Sequence, residues 1–358
     1  FISLMLLSAV SLLLYEAAYF QTHKQLDLRP NAANRSVYAA DPAHWLNKVD
    51  FSGFQAVLPL PYYHVGSENI WLDFNGAHYP RVMATAFHTG LPDFGVNMSR
   101  TSISKMLNSV QLAFEPCESP AILEDLPNNR PIALLVHPPE WEAVQKKYRH
   151  LLANARMVYE HPELKILSVT PEDIRIYAAT RRDTIAAHLR AQPLYPAGDV
   201  WRATQAHTPI AYQSFDSQPS ERAFLGGGAY NGQMGDTTRL FKTPLPKGVY
   251  KVSMWIDARQ DMGMTHELHI RETDRTAGHE IHFGTEGVRF YLRSIVDGWA
   301  MFEVLFEVYE PNSVTDLYLY KKGVNARFTI DECLVRPESV HLFRETEGRI
   351  SEDNMWYK

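Results

Sequence analysis

VYKVSMWID, Val249–Asp257, and AMFEVLFEVY, Ala300–Tyr309, alternate side-chain character at every second position. Tyr250, Val252, Met254 and Ile256 fall on one face, with Lys251, Ser253 and Asp257 on the other. Phe302, Val304, Phe306 and Val308 likewise oppose Glu303 and Glu307. A period of two marks strands with one face against a core. A one-residue slip would bury the two glutamates, so the register is strongly specified.

Further runs of strand length surround these two: Arg239–Lys242, His266–Glu272, Val288–Val296, Asp316–Tyr320 and Ala326–Val335. Turn residues separate them and no helical periodicity intervenes, which predicts an antiparallel β-sandwich of jelly-roll type over residues 193–347, with 348–358 as a tail.

Upstream, the pattern changes. Residues 50–192 alternate short apolar runs with amphipathic stretches. Phe54–Leu60 (FQAVLPL), Pro131–His137 (PIALLVH) and Lys165–Val169 (KILSV) read as strands, with a further short strand through Phe94 and Val96. Pro80 and Gly90 bracket a helix, proline in the first turn and glycine past the last. Ile103, Met106, Leu107, Val110 and Phe114 recur at helical spacing behind a cap at Ser99 or Thr101. Trp141, Val144, Tyr148, Leu151 and Leu152 mark another buried stripe. Thr170, Pro171 and Asp173 then start a helix in the order cap, first-turn proline, acid. Strands alternating with helices predict a layered α/β domain.

The first twenty residues, FISLMLLSAVSLLLYEAAYF, hold one ionisable carboxylate, Glu16. A membrane span takes about 20 apolar residues. Serines are tolerated inside a bilayer, and Tyr15, Tyr19 and Phe20 stand where an aromatic belt meets headgroups. A secretory leader and a buried helix are the other readings, but the small-residue cleavage pattern of a leader is poor here. Because the run starts with Phe1, the beginning of a span is expected upstream. Residues 21–49, broken by Pro30 and Pro42, read as a juxtamembrane connector. The fold class is therefore multidomain: an N-terminal transmembrane helix over residues 1–20, a connector, the α/β domain and the β-sandwich.

Composition narrows the function classes. The chain has 358 residues, too many for one ordinary core. Its net charge is −6, and Lys and Arg are scattered, which removes the electrostatic footprint of a nucleic-acid binder. The two cysteines, Cys117 and Cys333, lie in different predicted domains and read as buried thiols in preference to a disulfide.

Candidate chemistry is sparse. The loop YYHVGSEN, Tyr62–Asn69, follows a buried strand at the end where open α/β sheets favour ligands, which makes Tyr63, His64, Ser67 and Glu68 candidate ligand-binding residues. A turn held by local hydrogen bonds accounts for the same residues. Arg100 and Ser102, with Ser99, could hold an anion at a helix start, although capping alone explains the serines. His266, His269, His279 and His282 imitate a zinc set, but residues three apart on a strand point to opposite faces, so no metal is expected there. The glycines of LGGGAYNG, Leu225–Gly232, lack the strand-to-helix setting of a dinucleotide fingerprint. No catalytic residue is assigned, and paired carboxylates for a hydrolase are not evident.

Two resemblances enter on particular stretches. FQAVLPLPYYHVGSENI, Phe54–Ile70, and TGLPDFGVNMSRTSISKM, Thr89–Met106, resemble the segment after the final membrane helix of large bacterial polytopic proteins similar to the GT-C class of glycosyltransferases. LPKGVYKVSMWID, DGWAMFEVLFEV and FTIDECLVRP resemble the jelly-roll of carbohydrate-binding modules. Together they imply an extracytoplasmic, periplasmic tail of a bacterial inner-membrane protein acting on glycan or lipid-linked sugar, whose catalytic acid would lie on an upstream loop. The second resemblance also implies a sugar platform, for which Trp255, Tyr318 and Tyr320 are candidates against ordinary packing. No cofactor is expected beyond a structural calcium, for which Asp236, Asp257 and Asp331 are candidates without EF-hand spacing. The alternative to a transferase tail is a membrane-anchored surface module that binds carbohydrate or protein without any enzymatic partner domain.

Overall fold

The structure, a computed structural model, describes residues 2–23, 33–67, 69–72, 78–98, 100–191, 193–203, 210–233, 238–260, 264–320 and 327–358. Helix α1 (Ile2–His23) has 22 residues, and all of its described side chains are exposed, Leu12 by 61% and Leu14 by 66%. Among the described residues no helix is long and apolar enough to cross a membrane. The segment expected to span is thus helical, and a bilayer around it is not shown.

The connector is partly folded. It holds α2 (Ser36–Ala39) and α3 (Trp45–Lys48), and buried Trp45 donates from Nε1 to Thr85 Oγ1 at 2.9 Å. That bond ties the end of the connector into the first domain.

The first domain continues through β1 (Ala56–Leu60), β2 (His64–Val65), α4 (Tyr79–Thr89), β3 (Val96–Asn97) and α5 (Ile103–Val110). Then come β4 (Ile132–Val136), α6 (Trp141–Lys147), α7 (Arg149–Leu152), β5 (Arg156–Glu160), β6 (Lys165–Val169) and α8 (Pro171–Ala191). The main sheet has the order β1-β4-β6-β5, parallel between β1 and β4 and antiparallel elsewhere. Every residue of β1 and β4 is buried, which is why both read as unbroken apolar runs. Helix α4 ends where Gly90 takes a φ of 69° and returns its N–H to Ala86, a conformation that favours glycine. At α8, Thr170 Oγ1 accepts from the Asp173 N–H while Asp173 accepts from the Thr170 N–H, a reciprocal cap.

Two details depart from expectation. The helix foreseen from Trp141 to Leu152 is two helices, because Tyr148 leaves helical geometry (φ −111°, ψ 40°) and its hydroxyl accepts from the Tyr62 N–H at 3.0 Å. Strand β5 was not foreseen, since as an exposed edge strand it carries no buried stripe.

The second half runs β7 (Tyr195–Ala197), β8 (Val200–Arg202), β9 (Ala211–Gln213), β10 (Tyr230–Gln233), β11 (Thr238–Thr243), β12 (Gly248–Asp257) and β13 (Glu267–Asp274). It continues with β14 (Glu280–Gly287), β15 (Leu292–Val296), β16 (Trp299–Val308), β17 (Ser313–Tyr320) and β18 (Arg327–Pro337). It ends with β19 (Leu342–Thr346), β20 (Arg349–Glu352) and β21 (Met355–Tyr357). A four-stranded sheet, β11-β17-β13-β14, faces a six-stranded one, β10-β18-β12-β16-β15 with β9 beside β18. Tyr250, Val252, Met254, Ile256, Phe302, Val304 and Phe306 fill the space between them with Leu268, Ile270, Leu317 and Leu319. This is a β-sandwich with the register that the alternation in β12 and β16 demands.

A third layer covers the other side. Strands β21-β20-β19-β8-β7 form a sheet whose Phe343, Ile350, Trp356 and Tyr357 pack with Trp255 and Met301 behind the sandwich. The residues expected to be a tail, 348–358, are therefore two strands with a buried apolar face. Helix α8 joins the same layer through Ile185, and Arg181 pairs with Glu352 at 2.8 Å. The chain change near residue 192 thus separates two patterns of elements that share a packed interface. Cys117 and Cys333 are both buried and free, Cys117 within 3.4 Å of Ser294 Oγ.

Candidate functional site

The outer face of the sheet β11-β17-β13-β14 is built by strand alternation. Leu317 and Leu319 of β17 and Leu268 and Ile270 of β13 point into the core, so Asp316, Tyr318 and Tyr320, with Glu267, His269 and Arg271, point out. Register then places Tyr318 opposite His269 on one side and Arg239 on the other, while Arg271 stands between Phe283 and Asp316.

The result is a cluster of rings centred on His269. Its centroid is 5.0 Å from that of Tyr318, 5.3 Å from Tyr320 and 5.4 Å from Phe283. Charges bracket the rings. Arg239 grips Asp316 through Nε at 3.0 Å and Nη2 at 3.1 Å, a two-pronged pair that fixes both side chains. Arg271 donates from Nη2 to the Tyr318 hydroxyl at 2.9 Å and leans on Glu280 at 3.5 Å. Phe283 is 41% exposed, whereas Tyr318 is largely covered by its neighbours, at 9% exposure. The face therefore sets an exposed Phe283 ring and mutually tilted, partly covered rings beside fixed donors and acceptors, a combination of apolar and hydrogen-bonding groups that can meet a ligand with one apolar side and many hydroxyls.

Of the platform residues read from the sequence, Tyr318 and Tyr320 lie here and Trp255 does not. Trp255 is fully buried behind the opposite sheet, stacked on Phe224 at 3.9 Å, with Nε1 donating to the Asn354 carbonyl at 2.9 Å. No ligand ring reaches it. His269 and Phe283 went unrecognised as platform residues, His269 because it was read with the other histidines and Phe283 because β14 was not foreseen. The histidines diverge in space. His266 is buried edge-on to Phe328 at 4.3 Å, on the opposite side of the sheet from His269.

The loop after β1 is closed in this structure. Tyr63 is buried and donates to Asp93 Oδ2 at 3.0 Å, and burial pushes the Asp93 carboxyl up to about 6. Ser67 Oγ accepts from the Asn69 N–H, and Asn69 Nδ2 donates across to the carbonyls of Ala258 and Gln260 at 2.9 and 2.7 Å. The loop thus joins the α/β domain to the sandwich. Glu68 and Ser99 lie outside the described residues. His64 is wholly buried with neither ring nitrogen hydrogen-bonded, and desolvation lowers its pKa to about 4. Ser102 caps α5 by accepting from the Lys105 N–H at 3.4 Å, and Arg100 is exposed beside it. These candidates form a joint and a helix start, apart from the ring cluster.

Two of the three calcium candidates are similarly occupied. Asp257 is taken by Arg259 at 2.8 Å and Arg222 at 3.1 Å. Asp331 accepts the N–H groups of Phe224, Leu225 and Glu332. Asp236 lies outside the described residues, and among the described residues no group of three His, Cys, Asp or Glu side chains is placed to hold a metal.

The chain matches no family model and no curated protein. Among solved structures it is similar to the CBM22-1 xylan-binding domain from Paenibacillus barcinonensis Xyn10C, at 16% identity and a TM-score of 0.26, over 37% of this chain and 97% of that one. It is similar to TmCBM61 in complex with β-1,4-galactotriose, at 16% identity and a TM-score of 0.23, over 36% and 89%. The C-terminal family 22 carbohydrate binding module of Clostridium thermocellum Xyn10B is similar at 13% identity and a TM-score of 0.23, over 40% and 88%. These structural neighbours are carbohydrate-binding modules.

Proposed function

We propose that the chain binds glycan on the outer face of β11-β17-β13-β14. The observation that carries this reading is the ring cluster of Tyr318, Tyr320 and Phe283 around His269, held between the Arg239–Asp316 pair and Arg271. A pyranose presents carbon-bound hydrogens on one face and hydroxyls at its rim, matching rings below and charged groups beside. The test is a glycan array probed with the wild-type chain and with Tyr320→Ala and Phe283→Ala variants. Absence of any wild-type signal, or equal signals from all three, removes the reading.

A wider context follows from α1. Exposed Leu6, Val10, Leu12, Leu13 and Leu14 leave an apolar surface that water does not favour, and Tyr15 and Tyr19 stand toward its C-terminal part. On this reading α1 lies in a bacterial inner membrane and the two domains lie in the periplasm. They would form a non-catalytic portion of a glycosyltransferase-like protein, presenting glycan or lipid-linked sugar, as the resemblance of residues 54–106 implies. Carbonate extraction and protease protection of the full chain test this placement, and recovery in the soluble fraction would count against it.

A further inference from the structure

Between the α/β domain and the sandwich lies a cleft of about 390 Å³, remote in the fold from the ring cluster because its sandwich side is β15 of the opposite sheet. The turn from α6 to α7 brings Lys146, Lys147 and Arg149 to it, β15 brings Arg293, and α8 brings Tyr177. One carboxylate joins them, Glu115. Four cations therefore converge with a single anion.

That anion is already engaged. Glu115 Oε1 accepts from the hydroxyls of Tyr177 at 3.5 Å and Tyr357 at 3.4 Å and lies 3.7 Å from Arg181. Arg293 stands 3.5 Å from Glu303, a carboxylate it shares with Lys251 and Arg336. Among the described residues, the side chains of Lys146, Lys147 and Arg149 make no ion pair or hydrogen bond. The Lys147 ammonium sits 5.5 Å over the Tyr148 ring, and desolvation pulls its pKa below the ordinary lysine value with no carboxylate to offset it. A lone surface lysine is merely solvated. Three uncompensated cations at the mouth of one cavity create a concentrated positive field.

We propose that this interdomain cleft is an oxyanion site, taking the phosphate or carboxylate of a phosphorylated or acidic sugar, with Lys147 and Arg149 as its main anchors and Arg293 closing it from the sandwich. Arg suits the planar, two-oxygen face of such groups, and Lys supplies a mobile point charge. Because Arg293 and Lys147 belong to different domains, a bound anion would also tie the domains together.

Calorimetry on the full chain tests this with two probes, inorganic pyrophosphate and glucuronate. At least one is expected to bind, more weakly as salt rises. Pyrophosphate alone would mark a phosphate site and glucuronate alone a carboxylate site. The double variant Lys147→Ala, Arg149→Ala should bind at least about ten-fold more weakly. Both side chains are exposed, so the fold is expected to survive their loss. Arg293→Ala should weaken binding too, whereas Lys105→Ala, on an exposed position of α5, should not, and Tyr318→Ala should leave the anion affinity intact. Silence with both probes overturns the proposal, as does an equal loss in Lys105→Ala.

Discussion

The Arg271 guanidinium donates to the Tyr318 hydroxyl across neighbouring strands at 2.9 Å, with its centre 5.4 Å from the same ring. The contact holds the tyrosine in one orientation before any ligand arrives, and prior fixing of a binding group saves ordering entropy on association. Arg271→Met keeps the aliphatic stem but removes the donor. It is expected to weaken glycan binding about ten-fold by affinity electrophoresis, at little cost in stability for an exposed position. Tyr318→Phe, which keeps the ring, should lose less than Tyr318→Ala. An unchanged mobility for all three variants would show that this face does not bind.

Trp255 belongs to the interior, and its replacement should read as a folding defect. The indole fills space against Phe224 and satisfies its N–H on Asn354. Trp255→Ala leaves a large cavity and an unpaired carbonyl, with an expected loss of about 3–5 kcal/mol in urea unfolding. Whatever fraction of this variant stays folded should bind glycan as the wild type does, since the ring lies behind the other sheet.

The extent to which the sequence announces this architecture depends on burial. Strands with one buried face, β12 and β16, declare themselves by alternation, and fully buried β1 and β4 by unbroken apolar runs. Exposed β5 and half-exposed β14 lie at sheet edges and carry no periodic signal. Trp255 misled for a related reason. Its face of β12 also carries Lys251, Ser253 and Asp257 and so reads as wet, yet a third sheet, drawn from strands distant in the chain on both sides of β12, covers it. The ring cluster needed the β17–β13–β14 register, which links residues far apart in the chain. Only Tyr318 and Tyr320, two apart on one strand, were legible together.

The C-terminal strands should prove essential. Ile350, Met355, Trp356 and Tyr357 are buried against Trp255 and Phe343, and Arg181 on α8 is anchored by Glu352. A chain ending at Glu347 would expose this apolar layer. Its expected behaviour is a lowered thermal midpoint or aggregation, followed by light scattering, and an unaltered melting curve would contradict the packing described.

Asp331 should make stability fall as pH rises. Burial lifts its carboxyl from 3.8 to about 7, despite three N–H donors that oppose the shift. Between those two values the folded chain holds a proton that the unfolded chain has released. Stability from this group is therefore full below the lower value and declines through the window to about 7. Asp331→Asn, uncharged throughout, should flatten this part of the profile. The difference between the urea midpoints of wild type and variant, measured from mildly acidic to mildly alkaline pH, reports Asp331 together with the neighbouring Glu332, whose carboxyl is pushed up by burial and also by the Asp331 charge. A parallel pair of profiles would refute it.

His64 carries the opposite sign and a direct mutational consequence. It is buried beside the joint between the domains, and burial brings its pKa down from 6.5 to about 4 with neither ring nitrogen hydrogen-bonded. As pH falls from 6.5 toward 4, the unfolded chain gains a proton that the folded one refuses, so stability is lost on the acid side. His64→Leu has similar bulk, removes two unsatisfied polar atoms and cannot titrate. It should stabilise the chain by about 1–3 kcal/mol at neutral pH, because a buried polar group without a partner costs that much, and by more at mildly acidic pH. A destabilised variant would mean that the imidazole is held by a contact this arrangement lacks, and would return the loop after β1 to the set of candidate binding sites.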